Sequence, residues 1–180
     1  DLNILFEDDI LGKSNYVKFY ISFNNFFSLK KLKIKDVIFK NTEFNTNSEN
    51  IYFFKKILNN LKIENKIIFK KNKLFFRDRN DDLLFLSKMQ KINFFYDDTN
   101  QLQKLNSEFE IFNIPLKLSV SRNDFDKKKL IELSSRKIRL DTKTSIEHSG
   151  KDINGFFNIL FFNKKNSFNF KIKNKTLNFL

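Results

Sequence analysis

The sequence predicts a mainly β protein, a curved antiparallel β-sheet or β-groove built from successive hairpins, with one α-helix near residues 47–61. Three observations carry that prediction. Apolar and polar residues alternate with period two in segment after segment from Tyr16 to Phe179, and a strand is the backbone that sends successive side chains to opposite faces. Each such segment has one apolar and one wet face, which antiparallel sheets accommodate and doubly covered parallel sheets do not. Only between Thr46 and Leu61 does the period change, to three- and four-residue steps at Ile51, Phe54, Leu58 and Leu61, the stripe of an amphipathic helix.

The elements follow in order. Leu2 to Ile10 is apolar with an acidic break at Glu7, Asp8 and Asp9, and reads as the tail of a strand. Val17, Phe19, Ile21 and Phe23 then alternate with Lys18, Tyr20 and Ser22, and Asn24-Asn25 supplies a turn. Leu32 and Ile34 open the next strand, whose phase slips near Asp36 and Val37 before Phe39, as at a β-bulge. Thr46 and Glu49 have capping-box spacing, in which the hydroxyl takes the third helical amide and the carboxylate reaches back. After the helix, Ile67 and Phe69 lead to a turn at Lys70 to Lys73, and Leu74 and Phe76 return, which reads as a hairpin. Arg77 to Asp82 is a polar turn. Leu84 and Leu86, then Ile92, Phe94 and Tyr96, continue the strands, and a helical turn around Leu102 and Leu105 fits the polar stretch from Asp97 to Asn106.

Phe112, Ile114, Leu116, Leu118 and Val120 share one parity, with Asn113, Pro115, Lys117, Ser119 and Ser121 between them. Three further strands are expected from Lys128 to Ser134, from Ile138 to Ile146 and from Ile153 to Phe162, although Leu130 and Leu133 also suit a helix. A last hairpin joins Phe168, Phe170 and Ile172 to Leu177 and Phe179 across Asn174 and Lys175. The 180 residues form a single domain with enough apolar content, 41%, to order it. The chain opens on Asp1 without a signal-type segment, so it is read as an excised or mature piece. Its longest apolar run, near Phe156 to Phe162, is far short of a bilayer span.

A formal net charge of +13 raises nucleic acid and anionic membranes as partners. Phe, Lys, Asn and Ile dominate while Ala, Gly, Pro and Trp are scarce, the composition that an AT-rich genome writes. The lysines are dispersed. In Lys31 to Lys40 they alternate with apolar residues and form the wet face of a strand.

Catalytic chemistry is missing from the pattern, so the chain is read as a non-enzyme without metal or cofactor. There is no Cys for a disulfide, thiolate ligand or nucleophile. The single His148 lies in Glu-His-Ser-Gly and reads as a turn residue, because a metal site needs converging ligands. Asp81-Asp82 and Asp97-Asp98 sit at strand boundaries, where turn chemistry accounts for Asp. Three glycines form no phosphate-cradling motif, and Ser134-Ser135 lacks the frame of a nucleophile elbow. Phe beside Lys suits single-stranded nucleic acid, but the Phe residues take the apolar parity and no RNP-type submotif is present.

Lys31 to Phe44 (KLKIKDVIFKNTEF) followed by IYFFKKILNN, then KINFFYDD, EIFNIPLKLSV and GFFNILFFN before the last hairpin, together resemble the AsmA-like family, relatives of AsmA and TamB. The resemblance covers nearly the whole chain and rests on strand pattern and order; the family's N-terminal membrane anchor is not in this sequence. It implies a periplasmic β-groove segment of a longer chain held in the inner membrane by a segment outside this one. It also implies phospholipid acyl chains as ligand, conducted between inner and outer membranes for outer-membrane biogenesis. The expected lipid-facing residues are Phe112, Ile114, Leu116, Leu118, Val120, Ile138, Leu140, Phe168 and Phe170. Two alternatives stay open: a basic β-rich nucleic-acid-binding domain and a closed β-sandwich with a structural role, since alternation alone fits groove and sandwich equally.

Overall fold

Alternation becomes strand along nearly all of the described chain. The computed structural model describes residues 2–6, 9–22, 34–49, 52, 65–123, 125, 128–150, 152–173 and 176–179. Their strands are β1 (Leu2–Phe6), β2 (Asp9–Ile21), β3 (Ile34–Thr46), β4 (Lys66–Arg77), β5 (Leu83–Asp97) and β6 (Leu102–Ile111). They continue with β7 (Ile114–Asn123), β8 (Lys128–Ser135), β9 (Leu140–Ser149), β10 (Asp152–Phe161), β11 (Lys164–Lys173) and β12 (Thr176–Phe179). All twelve lie in one sheet in chain order, β1 to β12. Every neighbouring pair is antiparallel except β3 and β4, which run parallel.

The hairpins turn by identifiable chemistry. At residues 78–82 the Asp78 carboxylate accepts the backbone N–H groups of Asn80 (2.8 Å) and Asp82 (2.9 Å), an Asx-type turn. Phe112-Asn113 and Phe162-Asn163 are two-residue turns with both residues at positive φ, the pattern whose twist matches that of the flanking strands. Neighbouring turns are tied together: Lys137 Nζ donates to the Asn113 carbonyl (2.8 Å) and the Phe162 N–H to the Arg139 carbonyl (3.1 Å).

Several sequence expectations are corrected. The Lys70 to Lys73 turn does not form: β4 runs straight through it, with Lys71 alone in the left-handed region at φ 56°. One left-handed residue inverts side-chain parity without reversing the chain, so the slip looks like a turn in the sequence. Residues 102–105 open β6 rather than a helical turn, because Leu102 and Leu105 are drawn into pairing with β5 and β7. The helix expected over 47–61 falls mostly outside the described residues, which include only 47–49 and 52 of that span; of these Tyr52 is helical, and no helical element is described. Its proposed cap is not made by Thr46. That residue ends β3, pairs with Phe76 and is buried, and Asn47 Oδ1 instead accepts the Glu49 N–H at 3.0 Å. The slip near Asp36 is real: Tyr20 pairs with Asp36 and Ile21 with Ile34, leaving Lys35 as the extra residue.

The sheet is open, with β1 and β12 as its edges, which removes the closed sandwich as a description of the described residues. Surface area agrees. The chain exposes 12913 Å², whereas a compact monomer of 21.7 kDa would expose about 9,200 Å². Few apolar side chains are buried among the described residues, and they are Leu11, Ile38, Phe44, Met89, Phe94 and Val120.

Candidate functional site

Residues paired across a ladder project to the same side of a sheet, so the register assigns every strand residue to a face. One row reads Phe19, Val37, Ile67, Phe94, Leu105, Val120, Ile131, Thr144, Phe157 and Phe168, one residue from each strand from β2 to β11. Thr144 carries its only hydroxyl. At about 4.8 Å per strand the row is about 43 Å long, more than the roughly 30 Å hydrocarbon thickness of a bilayer. A parallel row through Val17, Phe39, Phe69, Ile92, Ser107, Leu118 and Leu133 widens it.

The rows survive because four strands change parity together. Pairing jumps from Lys40/Lys70 to Glu43/Lys73 over left-handed Asn41 (φ 52°) and Lys71 (φ 56°). It makes the same skip at Asn15 in β2, and ends as a bulge at Gln90, where Met89 faces Phe109 and Lys91 faces Glu108. Odd-numbered Phe39 and even-numbered Phe44 therefore lie on one face, both against Phe69, with ring centroids 4.8 and 5.6 Å away. The break leaves backbone groups to satisfy. Asn72 Oδ1 accepts the Thr42 N–H (3.1 Å), Thr42 Oγ1 donates to Ser14 Oγ (3.1 Å), and Ser14 Oγ donates to the carbonyls of Tyr16 and Lys40.

Burial distinguishes the two faces. Outside the β1–β2 bulge at Leu11, every buried side chain except Ile38 lies on the apolar face, small polar residues such as Ser87, Ser107 and Ser135 included. The apolar face is thus the better covered of the two.

The opposite face is charged and ordered by cross-strand ion pairs. Lys73–Glu43 (3.0 Å), Lys117–Glu108 (3.2 Å), Lys128–Glu147 (3.0 Å) and Lys143–Glu132 (3.1 Å) join residues directly opposite in register. Hydrogen bonds from Asn100 and Lys104 hold the Asp97 carboxyl below the usual carboxylate range, and Lys171 does the same for Asp152. Lys18 is shifted up by its contact with Tyr20. Shallow, open depressions on this side are lined by the same residues, among them Glu108, Lys117, Glu132 and Ser134.

Of the residues expected to face lipid, Ile114, Leu116, Leu118, Val120, Leu140, Phe168 and Phe170 all lie on the apolar face. Phe112 and Ile138 do not belong to its strands. Phe112 is in the turn before β7, left-handed and 74% exposed, with its ring 6.4 Å from Phe85, and Ile138 is in the turn before β9. Sequence reasoning did not place Phe19, Val37, Ile67, Phe94, Leu105, Ile131 and Phe157 among the lipid-facing residues: Phe19, Ile67, Phe94 and Phe157 stand in alternating segments, whereas Val37 lies at the phase slip, Leu105 in a stretch read as a helical turn and Ile131 in one that also suits a helix, and the missing signal was cross-strand register. His148 is exposed at the end of β9, and no three His, Cys, Asp or Glu side chains converge among the described residues. Among the same residues no helix is long and apolar enough to cross a membrane. Comparison with family models, curated proteins and solved structures finds no match.

Proposed function

We propose that the apolar face binds lipid acyl chains, and that the chain is a periplasmic segment of an AsmA-like lipid-conducting groove. On this reading a part of the protein outside this chain anchors it in the inner membrane, and it passes phospholipid between inner and outer membranes for outer-membrane biogenesis. The observation that supports this reading best is the ten-strand apolar row from Phe19 to Phe168. Each methylene kept from water on such a floor contributes about 0.8 kcal/mol, so an acyl chain is held along its length and released only gradually. The function needs no bond-making step.

Photocrosslinkers at Leu118 and Ser119 test the reading, since these neighbours project to opposite faces. Phospholipid adducts are expected from position 118 and not from 119, with matching lipid-sized mass increments in native mass spectrometry. Equal adducts from both positions, or none, would overturn it.

A further inference from the structure

The charged face is not uniform. Lys128, Lys143 and Lys171 from β8 to β11 are matched by Glu147, Glu132 and Asp152, as Lys73 is by Glu43 and Lys88 by Glu110. Between β3 and β5 the register instead sets Lys40, Lys70 and Lys91 side by side, one per strand. Like charges directly opposite each other oppose pairing, and three of them span only about 10 Å of sheet. The row continues through Glu108, Lys117, Ser134 and Asp141, and the acid nearest the three lysines, Glu108, is bonded to Lys117 at 3.2 Å. Two half-exposed tyrosines border the patch: Tyr16, under the Lys40 ammonium at 5.3 Å, and Tyr20, under Lys18 at 4.6 Å.

We propose that this patch is a second binding surface, one that docks on an anionic lipid membrane with phosphate headgroups seated over Lys40, Lys70 and Lys91. Phosphate charge relieves the repulsion that the register imposes, which gives the unfavourable placement a use. The choice of a membrane over a nucleic acid rests on residue type. The row contains no arginine, the side chain suited to bidentate recognition of phosphates and bases. It contains lysine point charges beside tyrosines, the pairing found at membrane interfaces. Its location opposite the apolar face makes it independent of the groove reading.

The test is flotation of the chain with phosphatidylcholine vesicles, with and without one-third phosphatidylglycerol, at low and high salt. Binding is expected only to the anionic vesicles and should weaken as salt rises. The triple variant K40Q/K70Q/K91Q should lose about a hundredfold in affinity, while K164Q/K165Q/K173Q, with the same change in net charge, should stay within about threefold of the parent. Circular dichroism and melting monitor folding; should the triple variant unfold, K70Q alone must still lose about fivefold. Equal losses in the two triples would overturn the proposal, as would undiminished binding to neutral vesicles. Tighter binding of a uridine 20-mer than of anionic vesicles at the same salt, lost in K40Q/K70Q/K91Q, would assign the patch to nucleic acid instead. Crosslinking from Leu118 reads the other face, so either proposal can fail without the other.

Discussion

Strands β2–β5 and strands β6–β12 present the same apolar floor by different means. The later strands form a plain antiparallel meander whose register runs unbroken from Leu102 to the end of β11. The earlier ones contain the parallel pair, the aligned parity breaks and the buried Ser14–Thr42–Asn72 network. They also hold most of the buried apolar side chains, Leu11, Ile38, Phe44, Met89 and Phe94. A regular ladder needs only alternation, whereas a ladder whose phase is inverted in mid-strand needs buried hydrogen bonds and close packing to hold the inversion.

That contrast is best broken by truncation. Phe44→Ala, at 2% exposure, should cost about 3–5 kcal/mol in urea unfolding, while Phe157→Ala in the meander, half-buried, should cost about half as much. Equal costs would show that the two regions are packed alike. Next in size is Asn72→Ala. It orphans the buried Thr42 N–H and should cost about 1–3 kcal/mol, against about 0.5 kcal/mol for Thr142→Ala, whose hydroxyl makes a longer bond to the Leu133 carbonyl (3.3 Å). Similar values would mean that the network does not hold the parity break.

Glycine sharpens the comparison from the other direction. Lys71→Gly removes the steric cost of a left-handed lysine and should stabilise by about 1 kcal/mol; destabilisation would mean that the Lys71 side chain itself is needed. The smallest effect is a pH response from two strand ends, Asp97 at the end of β5 and Asp152 at the start of β10. Asp97 and Asp152 are held below their usual range, so their contribution is present above the unfolded-state value near 3.9 and fades as pH falls through the folded value. Asp97→Asn with Asp152→Asn should remove that contribution at neutral pH and flatten the acid limb of the stability profile, so that parent and variant converge at low pH. Carboxyl titration by NMR gives the direct check, and midpoints at or above 3.9 would remove the effect.

The meander was legible in the sequence because period two survives in it without interruption. Ile114 to Val120 predicts its own face correctly, and the segments at 128–134 and 153–162 become strands nearly as read. The first half was legible only piecewise. Leu84 and Leu86 share parity with Ile92 and Phe94, yet the bulge at Gln90 puts them on the opposite face, where both are exposed. A single left-handed lysine leaves no compositional mark, because lysine is not a residue that favours that backbone. Phe112 was misplaced for a related reason. Asn113 carries a turn signal, but the bulky residue before it also adopts positive φ, an uncommon conformation for phenylalanine. The row from Phe19 to Phe168 was hidden differently, since it joins ten segments by a register that no one segment specifies.

The even spacing of that row has a consequence for selectivity. Successive strands offer a ligand nearly the same rung, every 4.8 Å or so, interrupted only by the Thr144 hydroxyl. A flexible hydrocarbon laid along identical rungs has no preferred starting point, so sliding by one rung changes its energy little. Such a surface measures neither the length of an acyl chain nor the position of its end. Any discrimination among lipids would have to come from the headgroup.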